Sequence, residues 1–351
     1  MMVEVKTLTP VWTGGVDGKV DRIHETGILG SLRWWFEVLV RGLGGKACDP
    51  TTASCLYDPD KPNNGLCDVC QVFGATGWRR RFRIRIFEEN VSSAQIAPTV
   101  SLTDGQYPDR QGKTRTLTWY FRDPTQSNVA PNTPKEGHFR IIVQSLDSSF
   151  QPEIIAGLIQ FIADWAALGA RVQMGFGVIE LVNGRIDIRP LFEWLKQNTG
   201  TNSYSDLPSL QNIFLARIAP KDSKRFSEEN TFKLKYDLRQ IFSGVENKNL
   251  RHFIMGTVKG QRIAAKVKMS RPYEDSQGNN LMRVWGWIPK EADVYTVERD
   301  REYVVRKIFD HLRENYKLRT WREMSSTRDT VTPEHSDTIT FLRSLLGGCI
   351  Q

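Results

Sequence analysis

Long apolar runs are absent from this 351-residue sequence, and their absence excludes a membrane-spanning helix of ordinary length. The best candidate, Ile154 to Leu168, is interrupted by Asp164 and is shorter than the roughly 20 residues needed to cross a bilayer. The opening residues, Met-Met-Val-Glu-Val-Lys, include an acid and lack the apolar region of a secretory signal. We therefore expect a cytoplasmic protein without a membrane partner.

Histidine is also scarce, and the motifs of several enzyme classes are missing. The five histidines are nowhere at the spacing of a zinc protease, no Gly-x-Ser-x-Gly occurs, and the glycine-rich segments lack the Lys-Ser/Thr of a P-loop. We expect no nucleotide cofactor. One enzyme class stays open, because a metal-independent endoribonuclease needs a base and an oxyanion stabiliser. His24 with Arg22 would supply both, and Asp21 would belong to the same site.

Positive charge is in excess, with a net charge of +8, and it is unevenly distributed. Residues 1–190 carry 21 basic and 20 acidic side chains, whereas residues 191–351 carry 27 and 20. A basic surplus favours a polyanionic partner, and nucleic acid is favoured over membrane because no basic amphipathic tail is present.

Hydrophobic periodicity predicts an α+β protein. In the first half the order is a strand at 3–8, a helix at 28–43, strands at 82–87 and 139–146, a helix at 152–168 and a strand at 178–182. This β-α-β-β-α-β order is that of a ferredoxin-like fold. A polar stretch at 198–208 predicts a boundary between domains at 1–195 and 205–351. In the second half the pattern predicts strands at 213–219, 261–269 and 283–288 and a helix at 301–316, and leaves 232–242 ambiguous.

Four of the five cysteines, Cys48, Cys55, Cys67 and Cys70, lie within 23 residues of one another. Cytosolic proteins rarely keep disulfides, so this clustering indicates a structural metal ion, most simply tetrahedral zinc. The alternative is a set of ordinary free thiols in a loop.

Two arginine-bearing segments with aromatic neighbours are candidate RNA contacts. Arg33-Trp34-Trp35 opens the first helix, where the tryptophans suit base stacking; alternatively Arg33, Glu37 and Arg41 form a ladder on its solvated face. The second segment predicts a strand in which Arg81, Arg83 and Arg85 share one face at about the spacing of successive phosphates. Its arginines are Arg79, Arg80, Arg81, Arg83 and Arg85. The alternative for this strand is a solvated face paired with acids elsewhere.

A glycine-rich turn follows the second predicted helix, from Gly169 to Gly177, and carries Arg171, Gln173 and Gly175. Unhindered backbone amides and one arginine would suit RNA. The alternative is a tight reversal from helix to strand.

Several of these segments resemble the RAMP superfamily of CRISPR-associated proteins, and more narrowly the first subunit of type III-B (Cmr) effector complexes. The first-half segments are Thr9-Pro-Val-Trp-Thr-Gly-Gly15, Gly27-Ile-Leu-Gly-Ser-Leu-Arg-Trp-Trp-Phe36, Cys67-Asp-Val-Cys-Gln-Val-Phe-Gly74 and Gly169-Ala-Arg-Val-Gln-Met-Gly-Phe-Gly177. Those of the second half are Arg251-His-Phe-Ile-Met-Gly256, Ala265-Lys-Val-Lys-Met-Ser270 and Val284-Trp-Gly-Trp-Ile-Pro289.

The resemblance implies two RRM-like, ferredoxin-like domains, the first closed by the glycine-rich loop. It implies a subunit that contacts the 3′ part of a CRISPR RNA, helps to engage target RNA, binds other Cmr subunits and does not cut. It carries RNA-contact roles to Arg22, His24, Arg33 and the 169–177 turn. Target-cutting relatives carry an aspartate in the first loop, but the sequence around Asp17 and Asp21 departs from their pattern. The zinc site does not carry over from the resemblance.

From these observations the sequence predicts a non-catalytic RNA-binding subunit with RNA held mainly by the first half. The alternative is an endoribonuclease that acts on guide precursor or target RNA through His24, Arg22 and Asp21.

Overall fold

The computed structural model describes residues 1–15, 20–49, 51–52, 55–97, 99–108, 111–120, 133–222, 224–242, 248–257, 262–333 and 337–347. Asp17, His335 and the fifth cysteine, Cys349, fall outside these ranges. Among the helices described, none is long and apolar enough to cross a membrane.

The first half builds a four-stranded antiparallel sheet with two long helices. Its elements are β1 (Met2–Thr7), α1 (Glu25–Gly42), α2 (Asp68–Phe73), β2 (Phe82–Ser93), β3 (Thr99–Pro108), β4 (Thr114–Tyr120), β5 (Lys135–Ser145), α3 (Glu153–Trp165), β6 (Ile179–Leu181) and α4 (Arg189–Gln197). The strand order is β2-β5-β1-β6, and every neighbouring pair is antiparallel. The β3–β4 hairpin is a separate two-stranded sheet inserted between β2 and β5.

The faces of this sheet follow the sequence pattern. Phe82 and Ile84 of β2 are buried, whereas Arg85 on the other face is exposed, which is the predicted alternation. The strand continues well beyond the predicted end at residue 87, because the ladder with β5 extends from Phe82 to Ser93 across one irregularity. Helix α1 buries Ile28, Leu32 and other residues at three- and four-residue spacing against the sheet.

The second half builds another antiparallel sheet, with strand order β11-β7-β10-β8. Its elements are β7 (Ile213–Ala219), α5 (Glu228–Ile241), α6 (Lys248–Met255), β8 (Val267–Met269), β9 (Tyr273–Glu274, paired with β10), β10 (Asn280–Trp287), α7 (Arg301–Asn315), β11 (Lys317–Arg322) and α8 (Thr338–Leu345). The ambiguous segment 232–242 is helical, because Ser227 and Asn230 form a reciprocal capping box that begins α5 ahead of it. The strand predicted at 261–269 is shorter, and residue 261 lies outside the described residues.

The two halves share buried contacts. Arg283 of β10 is 4% exposed and donates to the carbonyls of Ala163 (2.7 Å) and Ala166 (2.8 Å) at the C-terminal end of α3. Arg217 of β7 donates to the carbonyl of Asp164 in the same helix end. The last carbonyls of a helix have no partner within it and carry partial negative charge, so two guanidinium groups from the second sheet satisfy this end.

Helix α8, near the end of the chain, returns to the first half. Phe341 and Leu342 are buried in the first hydrophobic core, and the Trp165 indole Nε1 donates to the carbonyl of Leu345 at 2.9 Å. The domain limits 1–195 and 205–351 stay a prediction. Helix α8 belongs in sequence to the second of these ranges, but it packs in the core of the first half.

We predict that Arg283→Met lowers the free energy of unfolding by about 2–4 kcal/mol, because charged hydrogen bonds are strong and buried carbonyls would lose their donor. Urea denaturation followed by tryptophan fluorescence measures the change. The matched control is Arg189→Met, which removes an arginine paired with Asp187 at the surface. Equal effects of the two substitutions would contradict a structural role for the Arg283 contacts.

Candidate nucleic-acid groove and candidate metal centre

A groove of about 1480 Å³ lies between the two halves. One wall is the N-terminal part of α1, which contributes Gly27, Gly30, Ser31 and Trp34, and the glycine-rich turn lies beside it. The opposite wall comes from α5, α6, β8 and β10 of the second half. An open groove with walls from both halves suits a long, flexible ligand more than a small enclosed one.

The charges that line the groove are of one sign. Its cations all come from the second half and are Lys235, Arg239, Arg251, Arg262, Lys266 and Lys268. Among the described residues that line the groove, none is an aspartate or a glutamate. A surface of this composition attracts polyanions.

Four of these cations contact backbone oxygens or aromatic rings. Lys235 donates to the carbonyl of Gln173 at 3.0 Å, and Arg239 to that of Gly256 at 3.1 Å. The Lys266 ammonium is 3.5 Å from the centroid of the Phe253 ring, and that of Lys268 is 5.2 Å from the Trp34 ring. Neutral partners leave the positive charge available to an anionic ligand.

Burial and mutual repulsion make these lysines less basic. Desolvation lowers the pKa of Lys235, Lys266 and Lys268 to about 8 each. Arg239 adds to the effect on Lys235, and Lys266 adds to that on Lys268. A bound anion would reverse this effect by favouring the charged form.

Tryptophan side chains supply flat apolar surface in the same groove. Trp34, Trp119 and Trp287 line it and are half-buried, while Trp35 and Trp285 are buried beneath. Trp34 packs edge-on against Trp35, with 4.7 Å between ring centroids. Aromatic faces held beside cations are the arrangement on which single-stranded bases stack.

The glycine-rich turn is fixed against the strand–helix loop of the first half. Ala170 N donates to the Trp12 carbonyl at 2.6 Å, and Gly169 N donates to Ser31 Oγ at 2.8 Å. Gly175 has a φ of +94°, and a Cβ there would meet the backbone nitrogen of Arg271 at 2.6 Å. Glycine is therefore required by the close approach of the second half, which makes the turn a structural joint between the halves.

Two predicted RNA contacts, Trp34 and Gln173, line the groove. Arg171 instead stacks on Trp12, with its guanidinium carbon 3.9 Å from the ring centroid, and burial lowers its pKa. The arginines at 79–85 lie on or next to β2, the edge strand of the first sheet. There Arg81 pairs with Asp147 at 2.7 Å and Arg83 donates twice to Gln144 Oε1. RNA contact by these arginines stays a prediction.

The candidate ribonuclease residues form a small ion-pair group before α1. His24 Nε2 lies 2.6 Å from Asp21 Oδ1, and Arg22 Nη1 lies 2.9 Å from Glu25 Oε2. The His24 side chain is 14% exposed, and its hydrogen bond lowers the pKa of Asp21. The His24 imidazole is thus hydrogen-bonded to the Asp21 carboxylate, and the neighbouring Arg22 is paired with Glu25.

The four clustered cysteines meet in space. All four Sγ atoms lie within 4.8 Å of one another, and those of Cys48 and Cys70 are 3.6 Å apart. A tetrahedral zinc ion with Zn–S bonds of about 2.3 Å holds its sulfurs about 3.8 Å apart, so these residues fit a four-coordinate metal ion. Backbone amides support the sulfurs, because Cys48 N and Cys70 N both lie 3.4 Å from the Cys67 Sγ.

Protonation of the cysteines is consistent with a cation-binding cluster. A hydrogen bond from Cys70 lowers the pKa of Cys67 to about 4, whereas the same bond raises that of Cys70 and burial raises that of Cys48 to about 11. The thiolate form is therefore favoured at Cys67 and the thiol form at Cys48 and Cys70. Metal binding requires cysteine ligands in the thiolate form and releases their protons.

The ladder of Arg33, Glu37 and Arg41, which the sequence offers as the alternative to RNA contact by this helix, is present, but its position on a solvated face is wrong. Arg33 Nε lies 3.0 Å from Glu37 Oε1, and Arg41 Nη2 lies 3.3 Å from Glu37 Oε2. Glu37 and Arg41 are only 5% and 2% exposed. Contacts with the cysteine-bearing segment account for the difference, since Arg33 reaches the sulfur of Cys70 and Arg41 the carbonyl of Cys48.

Residue-by-residue reading of the sequence missed the second-half cations as binding residues. The segments 251–256, 265–270 and 284–289 contain Arg251, Lys266, Lys268, Trp285 and Trp287, all of which line the groove. These are the second-half segments on which the family resemblance rests, so a signal was present in the sequence.

We predict that Lys268→Met raises the free energy of unfolding of the RNA-free protein at pH 7 by about 1 kcal/mol or more. The reason is that the substitution removes a buried ammonium group whose charged form destabilises the folded state. The pKa of Lys268 in the folded protein, about 8, lies below the ordinary lysine value of 10.5. The free-energy cost of its charged form is therefore full below pH 8 and disappears as the pH rises towards 10.5. Urea denaturation at pH 7 and pH 10 measures the difference, with exposed Lys317→Met as control. Destabilisation, or a gain that does not change with pH, would contradict the electrostatic origin.

Comparison with known proteins agrees with the sequence motifs at the level of the family. The family model of the RAMP superfamily matches residues 4–180. Among solved structures, the chain is similar to the apo form of Cmr1 from Pyrococcus furiosus, with a TM-score of 0.45 and 14% identity, over 89% of this chain and 96% of that one. No curated protein matches. The family predicted from the motifs is confirmed: the chain belongs to the RAMP superfamily.

Proposed function

We propose that this protein is a non-catalytic, RNA-binding subunit of a type III-B CRISPR effector complex, and that the groove between its halves holds single-stranded RNA. The observation that carries the proposal is the groove itself, with six cations, three half-buried tryptophans and no carboxylate among the described lining residues. Phosphates would neutralise the cations, and bases would stack on the exposed indole faces.

The composition of the groove favours a sequence-tolerant contact. Cations and aromatic rings recognise the backbone and the faces of bases, which all sequences share, whereas sequence discrimination needs hydrogen bonds to base edges. In an RNA-guided complex, guide–target pairing reads the sequence and the protein binds shape and backbone. Our proposal is therefore that the groove contacts guide or target RNA near the 3′ part of the guide.

Ferredoxin-like architecture for both halves is part of the proposal. In the first half, the order β2-β5-β1-β6 with helices between β1 and β2 and between β5 and β6 supports it. The glycine-rich turn follows α3 and contacts the second half, as a loop that closes the first domain would.

Membership of the Cmr complex rests on the sequence motifs at 27–36, 67–74 and 251–289, together with the superfamily assignment. We propose CRISPR RNA, target RNA and the other Cmr subunits as partners and the cytoplasm as the location.

Zinc is the metal we propose for the four cysteines. An all-sulfur donor set with close tetrahedral spacing is typical of structural zinc, and protein sulfurs would close all four positions. The ion would then fold the cysteine-bearing segment and take no part in chemistry.

We predict that Lys235→Ala weakens binding of a uridine-rich single-stranded RNA by about 1 kcal/mol or more, because one phosphate contact is lost, and that it reduces the salt dependence of affinity. Fluorescence anisotropy between 50 and 200 mM salt measures both. Lys233→Ala is the matched control, since this lysine lies on the same helix but pairs with Asp237. Equal effects of the two variants, or an affinity that ignores salt, would contradict a groove-bound RNA.

The arginines of β2 provide the competing location for RNA. Joint replacement of Arg79, Arg81 and Arg83 by alanine is expected to weaken binding uniformly across RNA sequences if β2 contributes, and the affinity of this variant is compared with that of Lys235→Ala in the same assay. A larger loss in the β2 variant would move the main contact from the groove to the first sheet.

Incubation with labelled RNA tests the non-catalytic role. We expect the intact RNA to persist with and without divalent metal ions, because the Arg22 guanidinium that would stabilise an oxyanion is paired with Glu25. Cleavage that His24→Ala abolishes, with Lys233→Ala still active, would establish the endoribonuclease alternative.

A further inference from the structure

Two sides of helix α1 contact different parts of the protein: one lines the groove, and the other packs against the segment that contains Cys48 and Cys70. Gly27, Gly30, Ser31 and Trp34 line the groove. On another side of the same helix, Arg33, Glu37 and Arg41 form the ladder against the cysteine-bearing segment, and Glu37 and Arg41 are buried there. A rigid helix thus connects the candidate metal centre with the candidate RNA surface.

Arg33 contacts the metal centre directly. Its Nη2 donates to the Cys70 Sγ at 3.1 Å, its Nη1 donates to the carbonyl of Gly74 at 3.1 Å, and its Nε donates to Glu37. The Gly74 carbonyl lies just after α2, the helix that carries Cys70. One guanidinium therefore joins α1 to a ligand sulfur and to the end of the segment that presents it.

The second arginine of the ladder holds the other end of the cysteine segment. Arg41 Nη2 donates to the carbonyl of Cys48 at 2.8 Å, and its Nη1 donates to the carbonyl of Pro208 at 3.3 Å. Glu37 lies between the two arginines and orients both. The cysteine segment is therefore fastened to α1 at two points, at Cys48 and at Cys70.

The negative charge of a zinc ion with four thiolates explains why an arginine lies beside the Cys70 sulfur. A zinc ion with four thiolates carries two negative charges in excess, and burial of such a centre is costly without positive neighbours. The ladder of two arginines and one glutamate supplies one net positive charge, and the Arg33 donor is aimed at a sulfur atom. Outer-shell donors of this kind orient the ligands and strengthen metal binding.

We propose that Arg33 is the charge-compensating partner of a tetrathiolate zinc centre, and that through this link bound zinc holds the α1 wall of the RNA groove in place. Arg33 is then a positioning residue of the metal centre. The part of the proposal that concerns RNA rests on the proposed function, whereas the part that concerns the metal stands without it.

The metal arm of the test uses the full-length chain without RNA. Zinc content per chain is measured by plasma emission, and metal affinity by competition with a chromogenic chelator, for wild type, Arg33→Met and Arg33→Lys. We expect one zinc per chain, an affinity about 10- to 100-fold lower in Arg33→Met, and partial rescue in Arg33→Lys, which keeps the charge. Arg306→Met is the control, since this exposed arginine also pairs with a glutamate four residues away.

Cobalt substitution tests the geometry of the same centre. Co²⁺ bound by four thiolates gives the strong visible and charge-transfer absorption of a tetrahedral site. We expect this spectrum in wild type and in Arg33→Met at saturating metal. Folded wild-type protein that binds neither zinc nor cobalt, or an Arg33→Met variant with wild-type metal affinity, would overturn the proposal.

Two measurements test whether bound zinc affects the groove: amide hydrogen exchange in α1 and the affinity for RNA. Removal of zinc by a chelator is expected to speed amide hydrogen exchange within residues 25–42 and to weaken RNA binding, with both effects reversed by added zinc. Unchanged exchange in α1 on metal removal would overturn the coupling. Zinc-loaded wild-type protein with protected α1 amides and no RNA affinity would instead refute the proposed function while the metal centre stands.

Discussion

The contact of Arg283 and Arg217 with the C-terminal end of α3 determines how the two halves sit against each other. A helix end exposes carbonyls that need donors, and here the donors come from strands of the other sheet. The glycine-rich turn begins at Gly169, four residues after α3 ends, so the same contacts place the turn and the strands that face it. The groove exists because this junction fixes its two walls at a distance.

Within that groove, the protein maintains charge at a cost to its own stability. Burial lowers the pKa of Lys235, Lys266 and Lys268, and a neighbouring cation lowers it further for Lys235 and Lys268. A sequence selected for stability alone would pair them with carboxylates, as the chain does for Arg322, which pairs with Asp329 at 3.0 Å in a fully buried bridge. Cations that line a groove without neighbouring carboxylates are typical of a surface that binds an anionic ligand.

The sequence pattern correctly predicts those elements whose structure depends mainly on residues close to them in the chain. Strand β7 matches its predicted limits of 213–219, the alternation of β2 is that of the sequence, and the cysteines predicted to cluster do so. The groove could not be derived in this way, because it is formed by contacts between residues more than 200 positions apart, such as Lys268 over Trp34. The solvated position expected for the ladder on α1 was wrong for the same reason, because the segment that contains Cys48 and Cys70 packs over this side of the helix.

The return of α8 to the first core has a consequence for how the protein is made. Phe341, Leu342 and Leu345 belong to the same core cluster as the buried residues of the first sheet and its helices. Domains usually fold in order as they emerge during synthesis. Here the first sheet and its helices leave the ribosome before α8 does, so the apolar surface that α8 covers stays open to aggregation and to chaperones until residues 338–345 have been translated.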